Sequence, residues 1–102
     1  MTHRVVFSPE ASEDLLGLHD YIAARSGGVQ ALRCIERIER WCEGLRRFPE
    51  RGFVRDDIRS GVRVMGFERR VTIAFRVLPD TVTILRILYS GRDLLKALRK
   101  AG

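Results

Sequence analysis

Residues 69–98, RRVTIAFRVLPDTVTILRILYSGRDLLKAL, contain two apolar runs in succession, Val71 to Leu78 and Val82 to Tyr89. Between them stand Pro79 and Asp80, a turn pair in which proline presets φ and aspartate can bond its own backbone, so the stretch reads as a β-hairpin. At period two, Val71, Ile73, Phe75 and Val77 of the first run share one face, with Thr72, Ala74, Arg76 and Leu78 on the other. The second run divides into Val82, Ile84, Arg86 and Leu88 against Thr83, Leu85, Ile87 and Tyr89. Neither of its faces is wholly polar, and the simplest account is a central strand covered on both sides. Ser90-Gly91-Arg92-Asp93 breaks the strand, and Leu94 to Leu98 suits a short helical or irregular tail.

Upstream, Arg4 to Phe7 is a short strand candidate ended by Ser8-Pro9. Serine at the N-cap and proline at the first helical position open a helix, and Glu10, Glu13 and Asp14 put negative charge where the helix dipole favours it. This helix runs to about Arg25, with Ala11, Leu15, Leu18 and Ile22 on its apolar stripe, Leu16 and Ala23 beside it, and Gly27-Gly28 as the stop. In the second helix Ala31, Cys34, Ile35, Ile38, Trp41, Cys42, Leu45 and Phe48 recur at steps of three and four. Glu36 to Arg40 and Glu43 to Arg47 form i,i+4 pairs on its charged side. A connection of about four residues makes the two helices an antiparallel hairpin. Pro49 ends the second helix, Phe53 to Ser60 is a loop or a ragged edge strand, and Val62 to Met65 is a further strand.

With 102 residues, the chain is expected to form one domain spanning 1–102, 45% hydrophobic and 31% charged, and hence globular rather than disordered. No apolar run approaches the roughly 20 residues of a membrane-spanning helix, and no signal-peptide pattern opens the chain, which points to the cytoplasm. Cys34 and Cys42 lie about 12 Å apart along a helix, too far to pair, and with no histidine nearby they make a poor metal site. They read as small buried hydrophobes. Net charge is +6, but residues 1–50 carry seven arginines against eight acids, while residues 51–102 carry twelve basic residues against five acids. The excess lies wholly in the strand-rich half, and 17 of the 19 basic residues are arginine. That pattern fits either an anionic partner, protein or nucleic acid, or a solvated surface.

The predicted fold is α+β: an N-terminal strand, then an antiparallel helical hairpin packed on one face of a small, mainly antiparallel sheet of three to four strands, then a short C-terminal tail. One helical layer covers one sheet face, yet the strands offer apolar residues on both. Unless the tail folds back, the second face exposes Ala74, Leu78 and one alternate set from the last strand, mixed with Arg76 and with Met65 or Val64. An apolar surface studded with arginine marks a partner site.

Three segments carry a family resemblance: Phe48-Pro49-Glu50-Arg51-Gly52 after the helices, Val71 to Val77 (VTIAFRV), and Ile84 to Asp93 (ILRILYSGRD) closing the sheet. Phe7-Ser8-Pro9-Glu10-Ala11 and the helical pair fit the same pattern. In this order and spacing the chain resembles the ParE branch of the RelE/ParE toxin superfamily. The resemblance implies the toxin of a type II toxin-antitoxin system that inhibits DNA gyrase, and so plasmid or chromosome replication, by protein-protein binding. It also implies neutralisation by a ParD-like antitoxin within a hetero-oligomeric complex, where operator DNA is bound through the antitoxin. The partner-binding residues, for antitoxin or gyrase, are then Arg63, Met65, Ala74, Arg76, Leu78, Arg86, Tyr89 and Arg92. No cofactor, metal or membrane is implied.

The alternative is the RelE branch, ribosome-dependent mRNA endoribonucleases. Their chemistry needs a group to activate the 2′-hydroxyl, a cation on the phosphate and an acid for the leaving oxygen. The strand position aligned with the phosphate-holding arginine carries Thr72, the tail has no tyrosine, and His3 and His19 both lie far from the sheet's end in sequence. Arg92 persists, with Tyr89 nearby as core, partner contact or relic. No catalytic centre is expected.

Overall fold

The computed structural model describes residues 2–68, 70–89 and 97–98. Strand β1 (Arg4–Phe7) leads into helix α1 (Pro9–Ser26), and helix α2 (Gly28–Glu43) continues through a 3₁₀ turn at Gly44–Arg46. The strands β2 (Phe53–Val54), β3 (Val62–Phe67), β4 (Val71–Val77) and β5 (Thr81–Tyr89) follow. They form one five-stranded sheet in the order β1-β5-β4-β3-β2, antiparallel except where β1 runs parallel to β5. The sheet has five strands against the three to four expected: the N-terminal strand joins it as β1, and the segment read as a loop or ragged edge strand supplies the short β2, whose two residues pair with Val64 and Arg63.

The helix starts as its sequence dictates: the Ser8 hydroxyl accepts the Ala11 N–H at 3.0 Å and Pro9 occupies the first turn. The link between the helices is shorter than anticipated. Gly27 alone connects them, with φ of 91°, a left-handed-side conformation that glycine adopts without a Cβ penalty. On α2 the stripe buries Ala31, Ile38, Cys42 and, in the 3₁₀ turn, Leu45. Phe48, placed on that stripe by periodicity, is instead 62% exposed because the helix ends before it, and the Arg51 guanidinium lies over its ring at 5.6 Å. Leu16 is also exposed, and Glu43 pairs with Arg46 rather than Arg47.

The main core lies between helices and sheet, joining Ala11, Leu18, Ile38, Cys42 and Leu45 to Val71, Ile73, Phe75, Val82, Ile84 and Ile87. Strand β5 is interior, as its apolar character required, but it does not keep a single period. Ala74 pairs with Arg86 and Phe75 with Ile84, so Leu85 is an extra residue, a β-bulge. The bulge explains why neither alternate set was polar: Val82 and Ile84 face the helices, then the phase slips and Ile87 does too.

A second, smaller core occupies the other side of the sheet. Val62, Ala74 and Leu98 are buried there, flanked by Ile58, Val64 and Leu85. The expectation of an open second face is therefore corrected in part. Ala74 is fully buried, and of the tail, whose folding back was the open alternative, residues 97–98 place Leu98 against it with 1% exposure. Covering a leucine in this way stabilises by about 1.5–3 kcal/mol, which is why an apolar strand face draws in its own tail.

Candidate functional site

The sheet end beyond β1 is where the chain gathers its buried polar groups. Strand β1 pairs with β5 only as far as Ile84. Ser8 then bridges the gap: its N–H donates to the Ile84 carbonyl at 2.9 Å and its hydroxyl to the Leu85 carbonyl at 2.8 Å. From Arg86 to Tyr89 no strand pairs with that edge among the described residues. Asp14 on α1 takes the place of one. Its Oδ2 accepts the Ile87 backbone N–H at 2.9 Å and Arg86 Nε at 2.8 Å, while Oδ1 accepts Arg86 Nη2 at 2.9 Å.

This is a two-pronged guanidinium-carboxylate pair with side chains only 11% and 6% exposed. Hydrogen bonding to Asp14 raises the Arg86 pKa further above its ordinary value, against the opposing effect of burial. A third guanidinium nitrogen, Nη1, donates to the Ala97 carbonyl at 3.3 Å. One arginine thus joins helix, sheet and tail. In the sequence Asp14 only adds negative charge where the helix dipole favours it; its burial follows from α1 lying over β5, a contact that no local pattern announces.

The eight residues expected to bind partners do not form one patch. Cross-strand partners share a sheet face, so Arg63 (opposite Phe75) and Met65 (opposite Ile73) lie on the helix side, and Met65 packs against the main core. Of the two residues offered for the second face, Met65 or Val64, it is Val64, opposite Ala74, that lies there. Arg63 donates to the Arg51 carbonyl at 3.3 Å. Ala74 lies beneath Leu98, Arg76 is half-buried beside Gly61, and Leu78, at the β4–β5 turn, is 39% exposed. Arg86 is consumed internally. Tyr89 packs against Tyr21 with the rings tilted by 54° and their centroids 5.1 Å apart, and Tyr21, 41% exposed, brings the pair to the surface. Arg92 falls outside the described residues.

Other candidate chemistry is sparse. His19 is on the surface of α1, with Nδ1 3.3 Å from the neighbouring Asp20 carboxylate. Both cysteines are unpaired, and burial pushes the Cys42 thiol up to about 12. Among the described residues no three His, Cys, Asp or Glu side chains gather into a metal site. No helix among them is long and apolar enough to cross a membrane.

The class defined by this layout is a small α+β domain: a helical hairpin on one face of a mainly antiparallel sheet, its last strand tied internally to the first helix. A family described as the ParE toxin of the type II toxin-antitoxin system, parDE, matches residues 5–94, and the chain belongs to that family. Among solved structures it is similar to the chromosomal ParDE toxin-antitoxin system from P. aeruginosa, with 26% identity over 87% of this chain and 97% of that one and a TM-score of 0.76. It shares its fold with a chain of the RelBE2 toxin-antitoxin complex from Mycobacterium tuberculosis, at 19% identity over 87% and 99% of the two chains and a TM-score of 0.64. No curated protein matches it significantly.

Proposed function

We propose that the chain is a toxin that inhibits DNA gyrase by protein-protein binding, without catalysis of its own, and that a ParD-like antitoxin neutralises it in the cytoplasm. The family supports the toxin reading. The observation favouring a binding toxin over an RNA-cutting one is the engagement of Arg86. Its guanidinium is engaged by Asp14 and the Ala97 carbonyl, and on β4 Ala74 lies opposite Arg86 while Thr72, opposite Leu88, supplies no cation. A polyanion-cleaving centre needs its cations free and aimed at the reacting group.

The antitoxin would meet the chain through the ground that Leu98 leaves uncovered, Arg76 and Leu78, and through the exposed arginines of the basic half, with operator DNA bound through the antitoxin in a hetero-oligomer. The decisive assay adds the purified chain to gyrase and relaxed plasmid. Supercoiling falls and gyrase-dependent breaks accumulate, and an equimolar antitoxin reverses both. Unimpaired supercoiling together with cleaved mRNA on ribosomes would overturn the reading in favour of an endoribonuclease.

A further inference from the structure

On the helix side of the sheet, where the β3–β4 turn meets the end of α1 and the start of α2, a cleft of 380 Å³ opens around the Tyr21–Tyr89 pair. Three arginines line it, Arg25, Arg37 and Arg70, with one carboxylate, Glu68. Both Glu68 oxygens are already occupied, by Arg37 Nε at 2.7 Å and Nη2 at 3.0 Å. Arg25 and Arg70 have no carboxylate partner among the described residues. Arg25 instead lies over the Tyr21 ring, 4.4 Å from its centroid, and Arg70 Nη1 donates to the Tyr89 hydroxyl at 3.3 Å. The tyrosine pair therefore connects two guanidiniums whose charges are uncompensated.

Arg25 comes from the last turn of α1, whereas Arg70 is presented by a strained turn between β3 and β4. Glu68 has φ of 48°, in the left-handed region that non-glycine residues seldom occupy, and the Arg70 N–H donates to its carbonyl at 2.8 Å. Arg37 and Glu68 cancel, so the cleft keeps two net positive charges. A phosphate monoester carries about −1.5 to −2 at neutral pH and matches that balance better than a lone carboxylate. The cleft also exceeds the space one phosphate fills, and Gln30, Ile22 and Val71 add an amide and an apolar wall to it.

We infer that this cleft binds a nucleotide through its terminal phosphate monoester, the phosphate held at the tyrosine pair by Arg25 and Arg70 and the nucleoside against the Ile22, Gln30 and Val71 wall. The inference goes beyond the gyrase reading and does not rest on it, since its ligand is a small molecule, although Tyr89 and Arg70 also belong to the surface offered to protein partners. Its test is calorimetric titration of the full chain with AMP, adenosine, inorganic phosphate and hexaglutamate. AMP binds saturably and at least tenfold more tightly than any of the other three, and Arg25→Ala with Arg70→Ala weakens it at least tenfold with an unchanged circular dichroism spectrum. Should that double variant not fold, Arg25→Gln and Arg70→Gln singly must each weaken AMP. Absence of saturable AMP binding, equal binding by hexaglutamate or phosphate, or binding unaffected by the substitutions would overturn the assignment.

Discussion

Asp14→Ala tests the ion pair at the centre of the molecule. The substitution strips Arg86 of its bidentate partner and the Ile87 N–H of its acceptor, both in surroundings where the paired side chains are 6% and 11% exposed. Water cannot freely replace the lost oxygens, so the cost is that of an uncompensated buried charge, about 3–5 kcal/mol. Against a total of about 5–15 kcal/mol for a domain of this length, this is a substantial share. At about 4–8 °C per kcal/mol, melting should fall by about 12–40 °C. Thermal and urea unfolding of the wild type, Asp14→Ala, Arg86→Ala and the double variant form the assay, with coupling taken from the cycle. Asp14→Leu with Arg86→Met should regain the part of the loss that comes from the unpaired charge but not the part from the orphaned Ile87 N–H, about 1–3 kcal/mol. A single substitution costing under about 1 kcal/mol, or a strictly additive cycle, would refute the claim that this pair holds α1 to β5.

Ser8→Ala loses both the cap on Ala11 and the bond to the Leu85 carbonyl, a cost of about 1–2 kcal/mol in chemical denaturation. At Gly52, φ is 73° and a Cβ would run into the Val64 carbonyl oxygen, so Gly52→Ala should destabilise by about 1–3 kcal/mol and weaken hydrogen-exchange protection where β2 pairs with β3. Leu98→Ala should cost about 2 kcal/mol and speed amide exchange at Val62 and Ala74, which it covers. Burial lifts the Cys42 thiol from 9.0 to about 12, so the unfolded chain's thiol ionises first. Its contribution is complete below pH 9.0 and fades as pH rises towards 12, by up to about 1.4 kcal/mol per pH unit, a slope absent in Cys42→Ala.

Much of the architecture was readable from neighbouring residues. Ser8-Pro9 begins α1 because hydroxyl and ring act within one turn, and the α2 stripe buries Ala31, Ile38 and Cys42 because 3.6-residue spacing is a property of the helix alone. The β4–β5 hairpin closes around Pro79-Asp80 for an equally local reason, with the Leu78 N–H donating to the Thr81 carbonyl at 2.8 Å. The site was far less legible. A single bulged residue, Leu85, reverses the phase of the rest of β5, and period-two counting shows it only as two mixed faces, without the position of the slip.

From the chain's own order of residues came the strand, the paired helices, the hairpin and the concentration of positive charge in the second half, since each depends on residues a few positions apart. Only the folded molecule could decide that Asp14 meets Arg86 across 72 positions, that Leu98 seals Ala74, and that Tyr21 finds Tyr89. Those contacts depend on which surfaces are brought together once the elements pack, and burial then turns an ordinary aspartate into the partner that a guanidinium cannot do without.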